Sequence, residues 1–243
     1  MAVFSPGPVL VGHRGNGRGP DENTLGAFQA GVAAQLTWVE ADVRCAGDDT
    51  LVLAHAPFDA QGRPYSQLTG EQCRAGGLLL LDELLEVLPP GIGLNLDLKS
   101  AVEDALRVRG ASSAALLAPV AERQRSVRPL LVSSFDPAAL LIVRECAPGV
   151  PLGLLTWRDF PLRKSVPAAV HLGCDVVAGH TGSFALAQGE QDAAYVVDVA
   201  HRAGLDVLAW CPSPEAAPAL LSAGVDALCI DDVPGVRAAI WQA

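Results

Sequence analysis

No stretch of this 243-residue chain is rich enough in serine, glycine or charge to read as a linker. One domain over residues 1–243 is therefore expected rather than two small ones, and α/β barrels run to this length. Half the residues are apolar and mean hydropathy is +0.30, yet no uninterrupted apolar run approaches the roughly 20 residues of a membrane span. The N-terminus, MAVFSPGPVLVGHRG, lacks a basic region followed by an apolar core. No signal peptide is read there, Met1 argues against a trimmed leader, and a cytoplasmic protein is expected. Positive charge is scarce: 17 Lys and Arg face 27 Asp and Glu, for a formal net charge of −10. That balance disfavours nucleic acid and anionic membrane surfaces as partners, and it obliges any anionic substrate to find a local positive site. The six cysteines (Cys45, Cys73, Cys146, Cys174, Cys211 and Cys229) are scattered without a CxxC pair, which reads as buried, reduced thiols. A Walker-type glycine-rich loop is missing, and so is any defensible Ser–His–Asp order. Nothing in the sequence sets the oligomeric state.

Polar residues are instead gathered just past apolar, strand-like runs. Val9, Leu10 and Val11 lead to His13 and Arg14; Trp38 and Val39 lead to Glu40 and Asp42; Leu51, Val52 and Leu53 lead to His55. Residues two apart on a strand point the same way, so Glu40 and Asp42 share a face, a spacing that suits a divalent cation. In Gly93–Lys99 leucines alternate strictly with Asn95, Asp97 and Lys99, giving one apolar and one polar face.

Taken in order, the chain alternates short strands with helices. Strands are predicted at 9–12, 37–43, 93–98, 129–133, 151–155, 174–178, 206–210 and 226–230, with an extra short run at 51–54. A helix over 24–34 takes Asn23 or Thr24 as its cap. Residues 58–80 read as an irregular, glycine-rich excursion, and Asp82 as the cap of the next helix. A helix over 101–124 is expected to break at Gly110; another begins at Asp136-Pro137, and one spans 162–172. Three junctions repeat a helix-ending glycine, one residue and an aspartate: Gly173–Asp175, Gly204–Asp206 and Gly224–Asp226. The glycines suit left-handed helix ends and the aspartates read as turn-forming. About eight strand–helix units point to a single (β/α)8 barrel, whose active site lies at the C-terminal ends of its strands. His13, Glu40, Asp42, Asp97–Lys99, Ser133-Ser134, Trp210 and Asp231 all fall at or near such ends.

Each of these residues also has a plainer explanation. Glu40 and Asp42 could be salt-bridged, but with Asp97 three carboxylates converge, and a cation relieves their repulsion. His13 alone would be a core histidine; with His55 beside the same carboxylates, acid–base work near neutral pH is favoured. Arg14 is placed to fork onto phosphate oxygens, and Lys99 either pairs with Asp97 or adds charge to the same phosphate site. Trp210 reads equally as core or pocket wall. His180 reads as loop, and His171 and His201 as helix surface.

The ordered set His13-Arg14-Gly15, Glu22-Asn23-Thr24, Glu40-x-Asp42 and His55 resembles the signature of the glycerophosphodiester phosphodiesterase family. Leu96-Asp97-Leu98-Lys99, Ser133-Ser134-Phe135-Asp136, Ala209-Trp210 and Gly224-Val225-Asp226 extend the likeness over most of the chain. The resemblance implies a TIM barrel of the phospholipase-C-like phosphodiesterase type and one Ca²⁺ or Mg²⁺ held by Glu40, Asp42 and Asp97. It further implies His13 and His55 as the acid–base pair and Arg14 and Lys99 on the phosphate. The implied reaction is hydrolysis of a small-molecule glycerophosphodiester to sn-glycerol 3-phosphate and an alcohol. Departures are specific. Asp97 stands where the family usually has Glu, and Ala56 where a carboxylate follows the second histidine. Ile230 stands where Thr is usual, and the insertion after the second strand is very short. The same-fold phospholipases of the sphingomyelinase D type tend to have Asp at the position of Asp97. A barrel that binds phosphate ligands without turnover is the third possibility.

Overall fold

A computed structural model describes residues 2–16, 21–184 and 192–241. Eight parallel strands close on themselves: β1 (Val9–Gly12), β2 (Trp38–Cys45), β5 (Gly93–Leu98), β6 (Leu130–Ser134), β7 (Leu152–Leu155), β8 (Val176–His180), β9 (Asp206–Trp210) and β10 (Ala227–Ile230), with β10 returning to β1. Each lies within two residues of its predicted bounds. Helices follow the strands and pack outside them, so the architecture is a TIM barrel, as expected.

The alternation in β5 shows how the sequence builds the wall. Leu94, Leu96 and Leu98 are buried in the large cluster shared with the helices, each worth roughly 1.5–3 kcal/mol of burial, while Asn95 and Asp97 point into the barrel. Inside, Val11, Trp38, Leu131, Val176, Leu208 and Cys229 fill the lower barrel. Phe4 plugs its N-terminal end, edge-on to Trp38 at 5.1 Å.

Two short strands hang on the outside. β3 (Leu51–Leu53) runs antiparallel to β2, pairing Val43 with Leu53, and β4 (Leu79–Leu80) pairs with β3. Because β1 contacts β2 only at Trp38 and Val39, the edge of β2 beyond Val39 is free, and β3 occupies it. The hairpin thereby carries the chain back along β2 and delivers His55 beside Asp42, whose carbonyl accepts from Ala54 N at 3.0 Å.

Several local expectations are corrected. Residues 58–80 are ordered: Tyr65–Gln67 form a 3-10 turn and Gly70–Ala75 a helix, because Thr69 and Gln72 cap each other reciprocally. Tyr65, Leu68 and Cys73 give this excursion a small core of its own. The helix expected over 101–124 is confined to Ser113–Gln124. Ser112 caps it, Asp104 accepts from Ser113 N, and two 3-10 turns, Val102–Leu106 and Arg109–Ala111, precede it. Asp82 lies in the first turn of Leu81–Val87, where Glu83 rather than Asp82 reaches back to the Leu80 N–H at 3.0 Å. Thr24, not Asn23, caps the helix Leu25–Ala33. His180 is no loop residue: it ends β8, buried against Trp210. Cys146 is exposed, unlike the buried Cys45, Cys73, Cys174 and Cys229. The three glycine junctions hold, with φ of +71° at Gly173, +84° at Gly204 and +93° at Gly224. Among the described residues no helix is long and apolar enough to cross a membrane.

Candidate active site

The chain leaves β1 through a left-handed turn, Arg14 at φ +54° and Gly15 at φ +91°. A side chain at Gly15 would place its Cβ 2.8 Å from the Ala27 carbonyl carbon, so only glycine fits. The turn is fastened to β2: Gly15 N donates to the Glu40 carbonyl at 3.0 Å and Arg14 N to Glu40 Oε2 at 2.7 Å. His13 is then held from the far end of the sequence. Closure of the barrel pairs Gly12 with Ile230, so Asp231 stands beside His13 and its Oδ1 lies 2.5 Å from Nδ1. The other ring nitrogen, Nε2, lies 3.9 Å from Glu40 Oε2. Burial alone would lower the affinity of His13 for its proton. The bond to Asp231, helped by Cys211 and Glu40, outweighs it and holds the imidazole well above its ordinary range. Asp231 is lowered by the same bond.

Glu40, Asp42 and Asp97 are all buried. β2 and β5 run in register with Asp42 opposite Asp97, and one oxygen from each of the three carboxylates lies within 4.8 Å of the others. Burial, and then the charge of Asp42, push Glu40 up to about 8. Burial pushes Asp97 up to about 6 despite Lys99. Asp42 goes the other way: burial opposes its charge, but Lys99, Arg14 and the Asn23 amide hold it below the usual carboxylate range. Asn23 both donates to Asp42 Oδ2 at 2.9 Å and accepts from Asp42 N at 3.1 Å. Lys99 sits between Asp97 and Asp42, 2.9 Å from Asp42 Oδ1, and these anions raise its affinity for the proton against burial. Arg14 pairs with Glu22 and, at 3.2 Å, with Asp42. Both basic residues expected on a phosphate are thus engaged with carboxylates.

The acidic set suits a hard cation. Glu40 Oε1 and Asp97 Oδ1 are each buried without a hydrogen bond, and Asp42 Oδ1 faces the Lys99 ammonium at 2.9 Å. Buried acceptors are otherwise satisfied as a rule, and an all-oxygen donor set is what Ca²⁺ or Mg²⁺ takes.

Above this cluster lies a cavity of about 780 Å³, lined by His13, Arg14, Glu40, Asp97, Lys99, His55 and Trp210 among others. Asp42, wholly buried, forms the floor beneath it. His55 stands exposed at one edge, and partial desolvation, helped by the nearby charges of Arg14 and Lys99, lowers its proton affinity. Trp210 serves as wall: it meets Phe135 edge-on at 6.0 Å, and Phe135 in turn stacks on Trp157 at 4.5 Å.

The structure therefore brings every predicted site residue to one rim. Sequence reading did not give Asp231 its partner, named Asn23 and Phe135 within family-like runs without a role in the site, and passed over Arg44 and Trp157. Arg44 carried a readable signal, since it lies two residues beyond Asp42 on the same strand face. The Asp231–His13 bond carried none, because its partners are separated by 218 positions.

Similar structures agree with this architecture. A candidate glycerophosphodiester phosphodiesterase of Galdieria sulphuraria shares 26% identity over 96% of this chain and 98% of its own, with a TM-score of 0.79. An Oleispira antarctica phosphodiesterase, solved in complex with the product sn-glycerol-3-phosphate, shares 24% over the full length of both chains, with a TM-score of 0.75. A glycerophosphodiester phosphodiesterase of Thermotoga maritima shares 22% over 95% of this chain and 97% of its own, with a TM-score of 0.70. No curated protein matches the chain in sequence. The model of the glycerophosphoryl diester phosphodiesterase family matches residues 13–234, and with the histidines and carboxylates of its signature gathered on one barrel rim, the chain belongs to that family of phosphodiesterases.

Proposed function

We propose that this phosphodiesterase hydrolyses small glycerophosphodiesters to sn-glycerol 3-phosphate and an alcohol, with one divalent cation, Ca²⁺ or Mg²⁺, held by Glu40, Asp42 and Asp97. The observation that carries the reading is the convergence of three buried carboxylates, Glu40 and Asp97 each keeping an oxygen without a hydrogen bond, in the floor and wall of a cavity that also holds two histidines. The product bound to the Oleispira antarctica relative supports the choice of substrate. When bound, the cation supplies positive charge against the phosphoryl oxygens. Arg14 and Lys99 border the same space and would add their positive charge to it.

The histidines divide the proton work by their surroundings, which push their pKa values apart. His55, lowered by partial desolvation and by the charges of Arg14 and Lys99, is the neutral base: it takes the proton of the attacking hydroxyl, from water or from the substrate's own glycerol, as the new P–O bond forms. His13, kept protonated by Asp231, gives its Nε2 proton to the leaving oxygen as the old P–O bond breaks. Asp231 fixes the ring and its tautomer. Six cysteines without a disulfide support a reducing, cytoplasmic setting.

The test is phosphodiester turnover with and without chelator. Chelation is expected to abolish glycerophosphocholine hydrolysis, and added Ca²⁺ or Mg²⁺ to restore it; full turnover by protein shown to be metal-free would overturn the metal site. Asp97, one methylene shorter than the family's usual Glu, favours a second reading, cleavage of choline-bearing lipids. Sphingomyelin turnover exceeding that of glycerophosphocholine would establish it.

A further inference from the structure

Among the described residues, Arg44 is a guanidinium lining this cavity that no carboxylate claims. It lies on β2, on the same face as Glu40 and Asp42, and half-buried in the wall between the main cavity and a side cavity of about 340 Å³. Among the described residues it makes no ion pair. Its guanidinium spans two consecutive carbonyls instead. Nε donates to Ala54 at 3.1 Å and to His55 at 3.3 Å, and the terminal Nη2 donates to His55 at 2.7 Å.

The segment it grips needs holding. β3 ends at Leu53; Ala54 N still donates to the Asp42 carbonyl of β2 at 3.0 Å, and His55 lies one residue further on. No carboxylate follows His55, since Ala56 is next, and among the described residues its imidazole has no hydrogen-bond partner. His13 is oriented through its ring by Asp231; nothing comparable holds His55 by its ring. We propose that Arg44 is a positioning residue that fixes His55 through its main chain. Two carbonyls held by one planar, rigid fork define the peptide between them, and so the direction in which the His55 side chain leaves it. The inference rests on the reading of His55 as the base.

A double-mutant cycle tests it on the full-length, metal-loaded protein with glycerophosphocholine as substrate. Arg44→Ala is expected to lower kcat by about tenfold to a hundredfold, the scale of a misplaced catalytic group, with KM within about twofold. Arg44→Lys, whose ammonium reaches one carbonyl rather than two, is expected to recover part of that loss. In a His55→Ala background Arg44→Ala is expected to change kcat by less than about twofold, because the group it serves is gone. An equal loss in both backgrounds overturns the proposal, since Arg44 would then act on substrate or fold. A raised KM at unchanged kcat overturns it as well, assigning Arg44 to substrate binding. Wild-type kcat in His55→Ala alone removes His55 from the chemistry and ends both readings, which separates that failure from the others. If Arg44→Ala does not fold, Arg44→Lys and Arg44→Gln carry the same cycle.

Discussion

At the N-terminal end of the barrel, Asp175, Asp206 and Asp226 each give their carboxylate to the main chain. Asp175 accepts from Leu152 N at 2.9 Å, Asp226 from Val207 N at 2.7 Å, and Asp206 from Val3 N at 2.6 Å and Phe4 N at 3.0 Å. At the C-terminal end Glu40, Asp42 and Asp97 are more deeply buried, yet Glu40 and Asp97 each keep an oxygen with no hydrogen bond, and Asp42 Oδ1 meets the Lys99 ammonium. The chemical group is alike and the sheet is the same; the supply of donors differs. At strand starts, N–H groups of neighbouring strands and incoming loops are at hand. At the strand ends three carboxylates converge on one another and on Lys99, and that convergence, rather than burial alone, distinguishes a site from a brace. Two of the rim carboxylates are accordingly pushed up, Glu40 to about 8 and Asp97 to about 6, a state that a bound cation relieves.

The contrast is sharpest in activity. His13→Ala and His55→Ala are each expected to lower kcat by about a hundredfold or more, the scale of general acid–base groups, with the fold intact by circular dichroism. Near wild-type kcat in either variant would take that histidine out of the mechanism.

The pH profile follows from the same pair. The base His55 is lowered, so the acid limb of kcat/KM is expected below pH 6.5; the acid His13 is raised, so the alkaline limb is expected above it. Activity then spans neutrality, and His55→Ala loses the acid limb. A limb that persists in that variant belongs to another group.

A smaller effect tests the third rim carboxylate. Asp97→Asn removes a charge and is expected to weaken Ca²⁺ and Mg²⁺ binding strongly, whereas Asp97→Glu, with oxygens reaching roughly 1.5 Å further, is tolerated with an altered preference between the ions. Calorimetric titration decides it: unchanged affinity of Asp97→Asn for both ions would mean that Asp97 serves only Lys99.

The smallest effect on catalysis is expected at the other end. Asp226→Ala leaves the Val207 N–H without its partner and is expected to cost about 1–3 kcal/mol of stability in denaturant melts, with kcat unchanged. A large loss of turnover there would erase the distinction between the two ends.

Much of this was readable from local pattern. The eight strands follow from short apolar runs and glycine-ended helices, and strand-end placement put His13, Glu40, Asp42, Asp97, Lys99 and Trp210 on one rim. Local signals misled where two competed. The apolar run through 101–124 hid the Ser112 cap, and the glycines of 58–80 hid the capping pair Thr69 and Gln72, although that spacing was in plain view.

The sequence by itself determined the barrel, the positions of its strands along the chain and the residue types on the rim, because periodicity of two and helix-ending glycines are properties of neighbours in the chain. Only the tertiary structure decided which charges meet. Closing the barrel sets Asp231 against His13, and pairing β2 with β5 sets Asp97 opposite Asp42. Folding the β3 hairpin onto the free edge of β2 lays the His55 carbonyl on Arg44. Electrostatic coupling depends on distance through space, and for these partners that distance exists only once the sheet has closed.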